Sequence, residues 1–155
     1  MTPLSISGPN LEATLKILRS GGLRGHERVA LWLGPAAGKP HQVSEVFEPE
    51  QETARDYFRL PPHSMKALMT RLKTGRLKVV AQIHTHPGRA FHSDVDAEWA
   101  IVRHVGALSL VLPRFASATT IENFRDEVMT YECAPEGDWI LVPNTGPHAR
   151  LEITA

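Results

Sequence analysis

The chain has only one cysteine, Cys133, among its 155 residues. That count excludes an internal disulfide framework, a cysteine-based zinc finger and a CxxC redox pair. Net charge is lacking too, with 17 Lys and Arg against 17 Asp and Glu. The main electrostatic argument for binding nucleic acid or an anionic membrane surface goes with it. No apolar run approaches the ~18 residues that a membrane span needs. The opening MTPLSISGPNLEATLK lacks the basic start and long apolar stretch of a signal peptide, so a cytoplasmic protein is expected. Internal repeats and low-complexity tracts are absent. So are the GxSxG elbow of serine hydrolases and the phosphate-binding P-loop. Residues 26–30 read HERVA. Ala30 stands where HExxH requires its second histidine, which excludes the thermolysin-type site. Cys133, in an ECAP context with no accompanying signal, is a poor candidate nucleophile.

What remains is an ordinary globular composition, 42% hydrophobic and 22% charged. The length suits one domain over residues 1–155, able to bury about two-thirds of the unfolded surface without staples. Eight histidines are the one unusual count.

Proline and glycine fall between periodic segments, where they act as punctuation. Residues 3–7 read as a short edge strand. Pro9-Asn10 opens a helix in which Leu11, Leu15 and Leu18 share a face, and Gly21-Gly22 stops it. Residues 27–33 (ERVALWL) predict a buried strand closed by Gly34-Pro35, and 42–47 a second. Pro61-Pro62 starts a helix with the stripe Met65, Leu68, Met69 and Leu72, and Gly75 falls just past its end. The basic residues Lys66, Arg71, Lys73, Arg76 and Lys78 read as the solvated face of that element. Residues 77–84 predict a Val/Ile strand, Ser93 to about His104 a helix, and 107–113 another strand. Further strands are expected near 128–133, 138–142 and 149–153. The sum is an α/β chain whose mixed β-sheet is flanked by helices. The stretch 48–60 follows neither period. It is either a solvated surface loop or a substrate-contacting insertion in which Glu48, Glu50 and Glu52 are the candidate binding residues.

Chemistry concentrates in residues 82–99, QIHTHPGRAFHSDVDAEW. His84 and His86 stand at i and i+2 near a strand end, so both imidazoles leave one face of the sheet. Pro87 forbids simple continuation and Gly88 permits a turn. Ser93-Asp94-Val95-Asp96 then looks like a helix start. Two same-face histidines and a carboxylate from a nearby helix start make three zinc-type ligands, with a fourth position left for water. Zinc brings the pKa of such a water from 15.7 to about 7. Each part has a plainer reading. Ser93 and Asp96 are also what a helix N-terminus wants, a capping hydroxyl and an anion near the positive dipole end. His92 competes as a ligand. Glu27, which opens the apolar strand, is either a general base or a strand-end charge turned to solvent.

Taken together, Glu27 followed by RVALWLG, then His84-Thr85-His86-Pro87, then Ser93-x-x-Asp96 resembles the JAMM (MPN+) zinc metalloprotease motif. The seven-position interval from Glu27 to Gly34 matches the family pattern. The likeness covers about residues 10–115, and Trp139 and the last strands resemble the tail of bacterial members. The spacing from His86 to Asp96 is one residue shorter than in eukaryotic deubiquitinases, and HTHPGRAFHS with an acidic turn is similar to the bacterial branch. The resemblance implies a single-domain, cytidine-deaminase-like JAMM/MPN fold. It implies one zinc ion held by His84, His86 and Asp96, with Glu27 as general base and Ser93 as oxyanion donor. It also implies cleavage after the C-terminal glycine of a ubiquitin-like protein or its conjugates. Ubiquitin-activating and conjugating-like enzymes, often in defence operons, are the implied neighbours. Sulfur-carrier fusions or small peptide-like substrates are the alternative for the same chemistry, and an inactive MPN scaffold is the alternative without it.

Overall fold

The computed structural model describes residues 2–37, 42–98 and 100–155. β1 (Leu4–Ser7) ends on Ser7, whose hydroxyl accepts from the Asn10 N–H at 3.2 Å and caps α1 (Gly8–Gly22). Pro9 sits in the first turn, where a missing N–H costs nothing. β2 (Val29–Pro35) runs through the centre of the molecule and is followed by the short β3 (Glu45–Phe47). The aperiodic stretch contains a hairpin, β4 (Glu52–Thr53) and β5 (Phe58–Arg59). After it come α2 (Pro62–Gly75), β6 (Leu77–Thr85), α3 (Asp94–Glu98) and β7 (Leu108–Leu112). A 3₁₀ turn at 114–116, α4 (Phe124–Glu127), β8 (Met129–Cys133), β9 (Trp139–Val142) and β10 (Leu151–Thr154) complete the order.

Six strands form one sheet in the order β3-β2-β6-β7-β8-β9. Only β6 and β7 are parallel within it, so the sheet is mixed, as expected. β1 pairs in parallel with β10, joining the two ends of the described chain. Alternate residues of β2 serve two cores. Ala30 and Trp32 pack with α1 through Leu11, Leu15 and Leu18, while Val29, Leu31 and Leu33 pack with Leu68 of α2. The three α1 leucines are fully buried, each contributing about 1.5–3 kcal/mol. The buried Trp32 indole donates to Thr14 Oγ1 at 2.9 Å, so the ring leaves no orphaned N–H.

Two expectations need correction. The helix from Ser93 to about His104 ends at Glu98 among the described residues, Trp99 lying outside them. Its continuation is prevented because the Ile101 and Val102 N–H groups donate to the Gln82 side chain, at 2.8 and 3.4 Å, instead of to the preceding turn. At the end of α2, Gly75 is the last helical residue and Arg76 takes the left-handed cap with φ 53°. A Cβ at 75 would meet only side-chain atoms, Arg71 Nη1 and Leu77 Cδ1 at 2.8 Å, which can turn aside. Within the α2 stripe Leu68 is buried, but Met69 is 60% exposed. Among the described residues no helix is long and apolar enough to cross a membrane.

Candidate active site

Sheet register builds the site. Val29 of β2 lies opposite His84 of β6, so Glu27, two residues earlier, arrives beside the end of β6. Its place is fixed from the other side by the hairpin segment, where Ala54 O accepts the Glu27 N–H at 2.8 Å. Gln51 imitates a neighbouring strand there: its side chain accepts from Val29 N–H at 2.8 Å and donates to Val29 O at 2.9 Å. Glu27, His84 and His86 are all buried, and each offers one ligand atom within 4.8 Å of the others. α3 supplies Asp96, whose Oδ1 and Oδ2 lie 3.2 Å from His84 Nε2 and 3.1 Å from His86 Nε2. The structure therefore brings together Glu27, His84, His86 and Asp96.

Ser93 joins them through its backbone and its hydroxyl. The Ser93 N–H donates to Asp96 Oδ2 at 2.9 Å, and the Asp96 N–H donates to Ser93 Oγ at 3.0 Å. This reciprocal pair caps α3, and it leaves the Ser93 hydroxyl proton free to be donated elsewhere. The loop carrying these residues is held from below. Arg114 and Phe115 N–H groups donate to Gly88 O and His86 O, each at 2.9 Å. They do so from a left-handed turn, with φ of 51°, 55° and 59° at Arg114, Phe115 and Ala116. Non-glycine residues pay about 1–2 kcal/mol each in that conformation, so local strain is spent on fixing the loop.

Burial sets the electrostatics. It pushes the Glu27 carboxyl up to about 8, with the Asp96 and Asp56 carboxylates adding to the shift. Burial also works to raise Asp96, but the two imidazoles and the Ser93 N–H outweigh it and hold that carboxyl well below the usual range. His84 is the anomaly. Its ring is fully buried; among the described residues Nδ1 has no hydrogen-bond partner, and Nε2 faces only the Asp96 carboxylate, at 3.2 Å. A buried imidazole so sparsely paired is costly unless something else engages it. The oxygen and imidazole donors converging here fit a divalent metal ion, which would supply that engagement.

Other candidates lie outside the metal cluster, although Glu52 lines a groove that adjoins it at Tyr57 and Phe58. His92 Nε2 is 3.1 Å from Ser109 Oγ, and the ring lies against Tyr131 and Trp139, so it is engaged away from the cluster. Glu48 pairs with Arg28, Glu50 with His63 and Glu52 with Arg59. The cleft of about 460 Å³ over the cluster is instead walled by Asp56, Tyr57 and Phe58 from the hairpin and by Phe91 and Val95 opposite. Asp56, Tyr57 and Phe58 fall within the 48–60 stretch offered as a substrate-contacting insertion, whereas Phe91 and Val95 were not singled out. Cys133 is buried in the core and donates to Arg103 O at 3.3 Å.

A mixed sheet that buries a Glu–His–His cluster beneath a helix-borne aspartate is the arrangement of a metal-dependent hydrolase. No protein-family model matches the chain. It is 34% identical over 143 residues to a probable metalloprotease, y4jG, of Sinorhizobium fredii, covering 89% of this chain and 86% of the relative. Its fold is similar to a JAB1/MPN domain protein from Archaeoglobus fulgidus, with a TM-score of 0.51, 15% identity and all of both chains covered. A solution structure from Desulfitobacterium hafniense superposes with a TM-score of 0.66 at 14% identity, covering 96% of this chain and 91% of that one. The chain belongs to the JAMM/MPN family of metalloproteases.

Proposed function

We propose that the protein is a zinc-dependent peptidase or isopeptidase that cleaves after the C-terminal glycine of a ubiquitin-like protein. His84, His86 and Asp96 would hold the ion. The observation that carries this reading is the fully buried His84 imidazole, whose one polar neighbour within reach among the described residues is the Asp96 carboxylate shared with His86. Bound zinc supplies an acidified water and polarisation of the scissile carbonyl. Glu27 takes a proton from the attacking water at its carboxylate and returns it to the leaving amine. Its carboxylate lies within 4.8 Å of the histidine ligand atoms, where it can reach that water. The Ser93 hydroxyl, already accepting from Asp96 N–H, donates its proton to the developing oxyanion, a contribution of about 3–4 kcal/mol for one well-placed donor.

The cleft supports an extended substrate. It continues past Tyr57, Phe58 and Val95 into a second, largely apolar groove of about 820 Å³. The hairpin strands on its wall are only two residues long, and an added extended tail would gain main-chain hydrogen bonds there. Glycine next to the scissile bond lets such a tail approach where a Cβ would clash. The test is mass spectrometry of a ubiquitin-like protein carrying a C-terminal peptide extension, incubated with the zinc-loaded chain. Cleavage after the glycine, abolished in Glu27→Gln, is the expected result. Cleavage of short peptides with an intact fusion would overturn the ubiquitin-like substrate.

A further inference from the structure

α3 carries the Asp96 carboxylate, yet none of its residues is buried. A five-residue helix cannot hold itself in water, because nucleation costs more than so few hydrogen bonds return. Something other than helix propensity or core packing must set its position. The two flanks of the segment converge on one buried polar network. On the leading side, His92 Nε2 lies 3.1 Å from Ser109 Oγ, and the His92 N–H donates to the Tyr131 hydroxyl at 3.2 Å. On the trailing side, Gln82 Oε1 accepts the N–H groups of Ile101 and Val102. The network closes because Gln82 Nε2 donates to Ser109 Oγ at 3.2 Å.

The sheet makes this possible. Gln82 and His84 stand at alternate positions of β6 and share its face, and His86 continues the alternation just past its end. Ser109 is the register partner of Gln82 on β7. Gln82 is 1% exposed and Ser109 fully buried, so both depend on these partners. Since Ser109 Oγ already accepts from Gln82, its own proton is available to His92 Nε2. Burial pushes the His92 pKa down to about 4, which leaves that nitrogen able to accept at neutral pH. The ring also packs at a tilt against two aromatics, with centroids 5.1 Å from Tyr131 and 5.3 Å from Trp139.

We propose that Gln82, Ser109 and His92 form a clamp that positions α3, and with it Ser93 and Asp96, against His84 and His86. The clamp rests on the metal-binding reading of the site, and the three are positioning residues that touch neither ion nor substrate. Groups that orient metal ligands typically account for 10–100-fold in metal affinity.

The experiment measures zinc affinity of the metal-stripped chain by competition with a chromogenic chelator, together with thermal unfolding of the metal-free protein. His92→Phe keeps the aromatic packing and loses the Ser109 bond. His92→Gln gives up the ring and retains an amide able to pair with Ser109. Ser109→Ala removes one oxygen and carries the test if His92→Phe does not fold. Expected is a 10–100-fold loss of zinc affinity in Ser109→Ala and His92→Phe, with recovery in His92→Gln. Metal-free melting temperature should fall in Ser109→Ala, where the buried Gln82 amide loses its partner, without tracking the affinities across the three variants. Wild-type affinity in both Ser109→Ala and His92→Phe overturns the clamp. So does a loss in His92→Gln equal to that in His92→Phe, or losses of affinity matched across the three variants by losses of metal-free stability. A wild-type chain that takes up no zinc overturns the site reading itself, which distinguishes the two failures.

Discussion

Glu27→Gln separates two consequences of burying a carboxyl beside a metal-binding pair. The side chain is 4% exposed, and its pKa is raised from 4.5 to about 8 by burial and then by the Asp96 and Asp56 carboxylates. In the metal-free protein the folded state therefore keeps a proton that the unfolded chain has lost. Because the folded pKa lies above the unfolded one, the stability linked to this proton is complete below about pH 4.5 and is lost as the pH rises through about 8. Allowing for screening by the solvent that reaches the site, a rise of that size is on the order of a few kcal/mol of stability. That is a large part of the ~5–15 kcal/mol that holds a domain together. Glutamine has no proton to lose, so the variant escapes this term while sharing every other titration. Urea unfolding of chelator-stripped wild type and Glu27→Gln at about pH 5 and about pH 9 is the assay. Wild type should lose on the order of a few kcal/mol more than the variant across that interval. Parallel losses in the two proteins would refute a neutral, buried Glu27. With zinc bound, the same substitution should lower turnover by about 10²–10⁴-fold, the range for loss of a general base, at unchanged zinc content.

Ser93→Ala should lower kcat by about 10²-fold or more with KM nearly constant, and should cost about 1 kcal/mol in thermal unfolding through the lost cap on Asp96 N–H. An unchanged kcat would remove the hydroxyl from the reaction. Asp96→Asn should weaken zinc binding in chelator competition, because the amide brings no charge to the ion while the fold is kept. Changing Glu48, Glu50 and Glu52 together to Gln should raise KM for a basic-tailed ubiquitin-like fusion at low salt and less at high salt. Equal KM at both salt levels would confine the three to their pairs with Arg28, His63 and Arg59.

How much of this was legible depended on the range of the interactions involved. β6 carries its signal locally: a Val/Ile run and two histidines at the sheet period, ended by Pro87, so its strand and its same-face imidazoles were readable. Ser93 and Asp96 were readable because a helix start uses the same three-residue spacing as the reciprocal bonds now seen. The hairpin at 52–59 was not. Its place is set by Gln51 reaching back to Val29 across 22 residues and by Ala54 receiving the Glu27 N–H. The early end of α3 was equally hidden, since Gln82 takes the Ile101 and Val102 amides from another strand. Neither effect has a periodicity. The pairing of β1 with β10 joins opposite ends of the described chain, and nothing in either tetrapeptide names its partner. One available signal was missed: Gln82 stands two positions before His84, on the face that the HxH spacing had already defined.

Zinc titration of the metal-stripped chain by calorimetry, with His84→Ala as the control, tests the buried cluster most directly. One ion per chain for wild type, released with chelator and not taken up by His84→Ala, is the expected result. A wild-type chain that binds no zinc, or a His84→Ala chain that binds it with wild-type stoichiometry and affinity, would contradict the assignment.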